Sequence, residues 1–477
     1  MTRFAGSVVV VVVLALAVAA ARPLPATPRK TKPLSPPTKP SGGGGGGGGG
    51  GHHHHHKSDV LRGMLSVCGG TIVHTVLGTL YCWGNFIAYA PDNLLYYDPA
   101  VAADRQPDAL GIVPLTILFQ TIGLPLGAEL ARRVGTSTTS ILGGLLVATG
   151  VFLASYAPNL QTFMLLYGAC FGFGVGIAYT SPLAAGWTWF PNHKGLVNGL
   201  VLLGFGTGGF LFNLIGTQLA NPRGLKPPYP PEVYANFPSM LRTIATVYAV
   251  ASIFGGMLVR AKPDDGASLD DEPASGAAAA TAAAAAKDVS VRAAVRSPSF
   301  AALYAIIVLT ASAGLTCASV YKLFASTIFD SDAFLATAGA MGAVFNGLGR
   351  LFWAASVDKI GFKKPFATLL FIQAVNTALV PWAAHEGQLA YLASTCLSFF
   401  CMGGTFSTAP TCCAIAFGSK SATRVYAYLF PAFALASLGG VEIAKILVPT
   451  LGWAPVYRLL GLSSLIALVI LPLLDVP

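Results

Sequence analysis

"GRLFWAASVDKIG", residues 349–361, decides how this chain is read. An apolar stretch runs into a charged pair, an aliphatic residue and a closing glycine. Residues 123–135, "GLPLGAELARRVG", repeat the design, with the last glycine again twelve positions after the first. Each segment follows the second long apolar block of its half of the chain. Recurrence at matching places in two halves is the sequence sign of an internally duplicated membrane carrier.

Outward from these segments, twelve apolar blocks follow Met64. Their limits are near 64–90, 109–130, 138–156, 160–185, 195–220, 240–260, 300–326, 333–357, 365–384, 388–414, 423–447 and 452–474. A crossing helix needs about 20 residues, and the blocks scatter around that length. The widest break, 261–299, is charged and then alanine-rich, and it parts six blocks from six. The expected fold is an all-α membrane protein of twelve transmembrane helices in two six-helix bundles. The expected divisions are a leader over 1–58, bundles over 59–260 and 300–477, and a cytoplasmic linker over 261–299.

Composition agrees. The 477 residues are 54% hydrophobic and 10% charged, with mean hydropathy +0.65. A soluble domain carries about a quarter charged residues, so lipid must cover what polar side chains do not. The net charge of +10 comes in short clusters between apolar blocks, which points to the bilayer and away from nucleic acid. If residue 64 enters from the cytoplasm, thirteen Lys and Arg fall in inner connections and four in outer ones. That bias puts both ends of the membrane core on the cytoplasmic side. The eight cysteines lie inside apolar blocks without metal-ligand spacing and read as small packing residues, so no metal or cofactor is expected.

Residues 1–58 contain no Asp or Glu. Arg3, the apolar run Val8–Ala21 and the small residues after it have the shape of a signal peptide. An acid-free basic stretch behind such a run also resembles a plastid-targeting leader. Ten glycines and His52–His56 follow, reading as flexible linker and as a repeat expansion or tag. The protein is thus expected in the plasma membrane or an organelle membrane.

The stretch Ala333–Val357 holds one charged residue, Arg350. On a helix Gly339, Gly342, Asn346, Arg350 and Trp353 share a face, while Leu348, Leu351 and Phe352 point elsewhere. One option puts the guanidinium in a central cavity, where its fork of donors matches a carboxylate. The other has it snorkel about 10 Å to the cytoplasmic interface. In the first span His74, Gly78, Tyr81, Asn85 and Tyr89 share a face, and in the seventh so do Ser312, Thr316, Ser319, Lys322 and Ser326. These stripes either line a polar path or bond one another between helices. Glu442 and Lys445, three apart, form a local ion pair or a gate and proton site. Gly204 and Gly208 are a small-x-x-x-small pair for close helix packing rather than part of a nucleotide loop.

"VDKIG" is similar to the short charged turn that the major facilitator superfamily repeats in its two halves. More narrowly, "GTLYCWGNFIAYA" (78–90), "WFPNHKGLVNGLVLLGFGTGG" (189–209) and "NGLGRLFWAASVDKIG" (346–361) resemble the oxalate:formate antiporter family and its monocarboxylate-carrier relatives. The resemblance implies a secondary transporter, not an enzyme, that moves a small organic anion by alternating access. It also implies a carboxylate held by the eighth-helix arginine, here Arg350. Asn346, His74, Tyr81, Asn85 and Lys322 join it as candidate binding residues. Arg132, Arg133 and Asp358 in the charged turns, with Glu442 and Lys445, are the candidate gating or coupling residues.

Two departures bear on substrate and coupling. The resemblance leads one to expect a second basic residue in the middle of the eleventh helix, near Phe433, where this chain has none. A monocarboxylate therefore fits better than a dicarboxylate. Proton-coupled relatives keep an acid beside the arginine, and this eighth span has none, so exchange, uniport and proton symport through Glu442 stay open. The expected partners are the anion, a proton or counter-anion, and lipid, with the chain acting as a monomer. The alternatives are a non-transporting sensor or scaffold on the same fold, or a carrier of another solute such as an amino acid.

Overall fold

A computed structural model describes residues 51–100, 105–190, 194–263 and 289–476. The leader up to residue 50 and the middle of the linker, 264–288, lie outside the described residues. A helix runs from Gly51 to Leu77, so the boundary set at residue 59 falls inside a helix.

Among the described residues, eleven helices are long and apolar enough to cross a membrane. In the first half they are α1 (Asp59–Tyr89), α2 (Asp108–Val134), α3 (Thr136–Ala154), α4 (Leu160–Trp189), α5 (Leu196–Ala220) and α6 (Pro231–Leu258). The second half has α7 (Pro298–Ala325), α9 (Lys363–Glu386), α10 (Gln388–Phe417), α11 (Arg424–Leu451) and α12 (Trp453–Leu473). The twelfth helix, α8, spans Asp332–Ile360 and is 29 residues long. It is less apolar because Asn346, Arg350 and several glycines sit along it. With no strand among the described residues, the protein is an all-helical, multi-pass membrane protein of two six-helix bundles.

Packing repeats with the sequence. In the first half α2 lies against α4, α3 against α6 and α1 against α5. The second half pairs α8 with α10, α9 with α12 and α7 with α11, the same scheme six helices later. The seams between halves match as well: α5 packs on α8, and α2 on α11. Gly208 sits directly on the Thr75 carbonyl, where a Cβ would collide, so α5 and α1 touch backbone to backbone.

The two quoted segments end alike. Gly135 after α2 and Gly361 after α8 have φ of 88° and 83°, a left-handed region open to glycine at little cost. Each closes its helix by donating its backbone N–H to the carbonyl of the fourth residue before it, Ala131 or Val357, and the next helix starts at once. A hydrophobic belt faces outward: Leu118, Ile122 and Leu126 line one side of α2, and Leu348, Leu351 and Phe352 one side of α8.

Candidate functional site

Gly339, Gly342, Asn346, Arg350 and Trp353 are all buried, opposite the exposed Leu348, Leu351 and Phe352. Arg350 is 6% exposed, so its guanidinium stays inside the bundle instead of reaching for the interface. Its Nε donates to Asn346 Oδ1 at 3.2 Å, one turn back, and its Nη2 donates to the Tyr81 hydroxyl at 3.2 Å. Phe205 and Phe406 pack on the guanidinium, with ring centres 5.1 and 5.3 Å from Cζ. Among the described residues, the groups against this cation are neutral.

Arg350 lines a small cavity together with Leu80 and Tyr81 of α1, Ile117 and Gln120 of α2, Tyr179 of α4, Phe205, Phe406, and Phe430 of α11. Both halves of the chain supply walls. Several wall residues sit where a helix departs from α geometry. Tyr81 lies in a 3₁₀ segment, Gly78–Cys82, and Tyr179 ends the helix Phe171–Tyr179 just before a new one begins at Ser181. Phe430 immediately precedes Pro431, at a second such break. Irregular backbone at membrane depth is tolerated where it is buried in protein or lines a cavity. On α11, Phe433 stacks on Phe406 at 4.3 Å, so the position near the middle of that helix is filled by an aromatic ring.

Asn85 and Lys322 are not at this cavity. They meet at the outer end, as the charge bias names it, in a buried polar knot. Lys322 in the last turn of α7 pairs with Asp332 in the first turn of α8 at 2.7 Å, both side chains 0% exposed. Those helix ends favour a cation and an anion respectively. Lys322 also donates to Asn85 Oδ1 and the Tyr89 hydroxyl, each at 2.6 Å. The hydroxyls of Tyr89 and Tyr229 and the amide of Asn221 bond the Asp332 carboxylate at 2.6–3.0 Å. The pair belongs to the second half, and its satisfying groups come from the first. The knot ties the halves together.

His74 is buried about two turns before Tyr81 on the same face of α1, against Tyr179 and Phe205, behind the cavity wall. Glu442 and Lys445 do form a local ion pair, at 2.9 Å, and Lys445 reaches on to Asp108 of α2 at 3.4 Å across the halves. Arg132 and Arg133 both pair with Glu129 on the exposed end of α2. Asp358 is exposed at the end of α8.

Asp332, Tyr229, Asn221 and the aromatic cavity walls other than Tyr81 were not singled out from the sequence. Asp332 had a signal, as a lone acid opening an apolar block just after a lone lysine closes the previous one. Phe205 and Phe406 had none, since phenylalanine in an apolar block looks like any other lipid or core residue.

Two six-helix halves around a cavity built from both define a membrane transporter. A match to the Major Facilitator Superfamily spans residues 83–441, and the chain belongs to that family. Apicoplast pyruvate carrier 1 of Toxoplasma gondii is 29% identical over 84% of this chain and 86% of that one. The oxalate:formate antiporter of Oxalobacter formigenes is 23% identical over 82% of this chain and 86% of its own. The crystal structure of the nucleoside transporter NupG superposes with a TM-score of 0.59 at 10% identity, covering 87% of this chain and 99% of that one. That likeness concerns the fold alone.

Proposed function

We propose that the protein is a secondary carrier of a small monocarboxylate, bound through Arg350. The observation that carries this reading is a buried cation whose described neighbours are all neutral. Burying an unpaired charge costs several kcal/mol, and a substrate carboxylate supplies the missing partner. Tyr81, Asn346 and Tyr179 hold the guanidinium through neutral groups, and its planar fork of donors matches a carboxylate. The other cavity walls carry no charge, and Phe433 stands where a second cation would be needed for a dicarboxylate. The names of the pyruvate carrier and the oxalate:formate antiporter are in keeping with such a substrate.

Alternating access then requires the outer knot to open when the carrier faces outward, with Lys445–Asp108 as a weaker latch beside it. Walls drawn from both halves of one chain favour a monomeric carrier. The acid-free leader and the apicoplast relative favour a plastid-type membrane, which imaging a C-terminal fluorescent fusion against organelle markers tests.

The decisive experiment is uptake by reconstituted vesicles of labelled pyruvate, lactate, formate and oxalate, with the parent and with Arg350→Lys. Lysine keeps the charge and loses the planar fork, so monocarboxylate uptake falls by about a hundredfold or more. Lysine uptake equal to the parent's, or a preference for oxalate, defeats the reading.

A further inference from the structure

His74 is the buried side chain that the carboxylate site leaves unused. It is 0% exposed, and neither ring nitrogen has a hydrogen-bond partner. A neutral imidazole buried in this way leaves one donor and one acceptor desolvated and unpaired, which is unfavourable. Satisfied core histidines do not look like this.

Its surroundings tie it to Arg350. The His74 ring stands edge-on to Tyr179 at 5.2 Å and tilted to Phe205 at 5.5 Å. Both neighbours wall the carboxylate cavity, and Phe205 also packs on the Arg350 guanidinium. Among the described residues, the titratable or charged groups that bear on His74 are Tyr179 from α4 and Arg350 from α8, while α5 presents Phe205 and Gly204 to it. The nearest ionised group is therefore a cation without a counter-charge.

We propose that His74 is the proton-binding site of a carboxylate–proton symporter, a reading that rests on Arg350 as the carboxylate site. In the empty carrier a proton on His74 would put a second unpaired cation into the membrane interior, across the Phe205 ring from Arg350. A carboxylate on Arg350 cancels the guanidinium charge and places an anion near the imidazole, which favours the protonated ring. Anion and proton thus raise each other's affinity by the same factor. The balance is simple: one proton from water joins the free ring nitrogen, one carboxylate joins Arg350, and both leave on the other side. Empty carrier and doubly loaded carrier then carry the same net charge through the membrane, so the cycle is electroneutral. No carboxylate beside Arg350 on α8 is required, and the two acids of that helix, Asp332 and Asp358, stand at its ends.

The test uses the full-length carrier in vesicles with a trapped pH dye and labelled pyruvate. The parent moves about one proton per pyruvate, and the ratio drops to near zero for His74→Gln, which cannot take up a proton. Should that variant fail to insert, pyruvate binding to the parent in detergent is measured by calorimetry in two buffers of different ionisation enthalpy. Uptake of about one proton on binding supports the site, and none overturns it. Pyruvate uptake by the parent without proton movement, or an unchanged ratio in His74→Gln, also overturns it. If the parent takes up no carboxylate, the Arg350 reading fails first, and this one with it.

Discussion

Among its described residues the protein buries two cations, Lys322 and Arg350, in its membrane interior and treats them oppositely. Lys322 has a carboxylate at 2.7 Å and a shell of hydroxyl and amide groups, while the described neighbours of Arg350 are two aromatic rings and neutral polar groups. Both charges pay for desolvation. The knot recovers that cost within the chain and so holds the halves together. The cavity leaves the cost outstanding, and a ligand that brings an anion gains what the chain has left unpaired. A cation with a resident partner serves as a fastener, and one without serves as a receptor.

Four single variants and one double variant press on this contrast. Arg350→Met should reduce carboxylate uptake by about a hundredfold or more, yet keep or raise the melting temperature in detergent, since it removes an unpaired buried charge. A large fall in melting temperature would mean that Arg350 has a structural partner after all. Lys322→Met does the reverse. It strands Asp332 at a cost of about 3–5 kcal/mol, seen as a lower melting temperature, and Lys322→Met with Asp332→Leu recovers most of the loss. Failure of the double variant to recover would show that the pair is not the unit that matters.

Smaller effects are expected where one neutral bond, or one ion pair whose acid keeps a second cation, is lost. Tyr81→Phe removes a single donor–acceptor contact to the guanidinium, so KM for the carboxylate rises about fivefold, corresponding to about 1 kcal/mol. No change in KM would take Tyr81 out of the site. Lys445→Gln breaks a partly exposed latch worth at most about 1 kcal/mol. Labelling of a cysteine placed at Gln120 by an impermeant reagent from the outer side should increase only slightly, and far less than in Lys322→Met.

The fold was largely legible because its signals are local. Block length gives crossing helices, and period 3.6 gives the buried side of α8, which the exposure of Leu348, Leu351 and Phe352 bears out. Periodicity fixes the direction in which a side chain points but neither its height in the membrane nor its partner. Tyr81, Asn85 and Tyr89 share one face of α1, yet Tyr81 reaches the cavity while the other two enter the knot. Lys322 carried the same ambiguity, and only Asp332 beyond the following turn and Tyr89 more than two hundred positions away in the chain resolve it. The aromatic walls were hidden for the reason already given: chemistry at the site is partly done by residues that the membrane would select anyway.

The repeated pairing of helices within each half has a consequence for how the protein is made. α1 with α5, α2 with α4 and α3 with α6 all close inside the first half, so that half completes its own packing as soon as α6 has left the ribosome. The second half follows with the same three pairings. Contacts between halves, including the knot on Asp332, must then form last and between two bodies that are already packed. Defects in the knot should therefore spare synthesis and insertion, and show themselves in the finished carrier, whereas a bulky residue at Gly208 would arrest the first half while the second is still being translated.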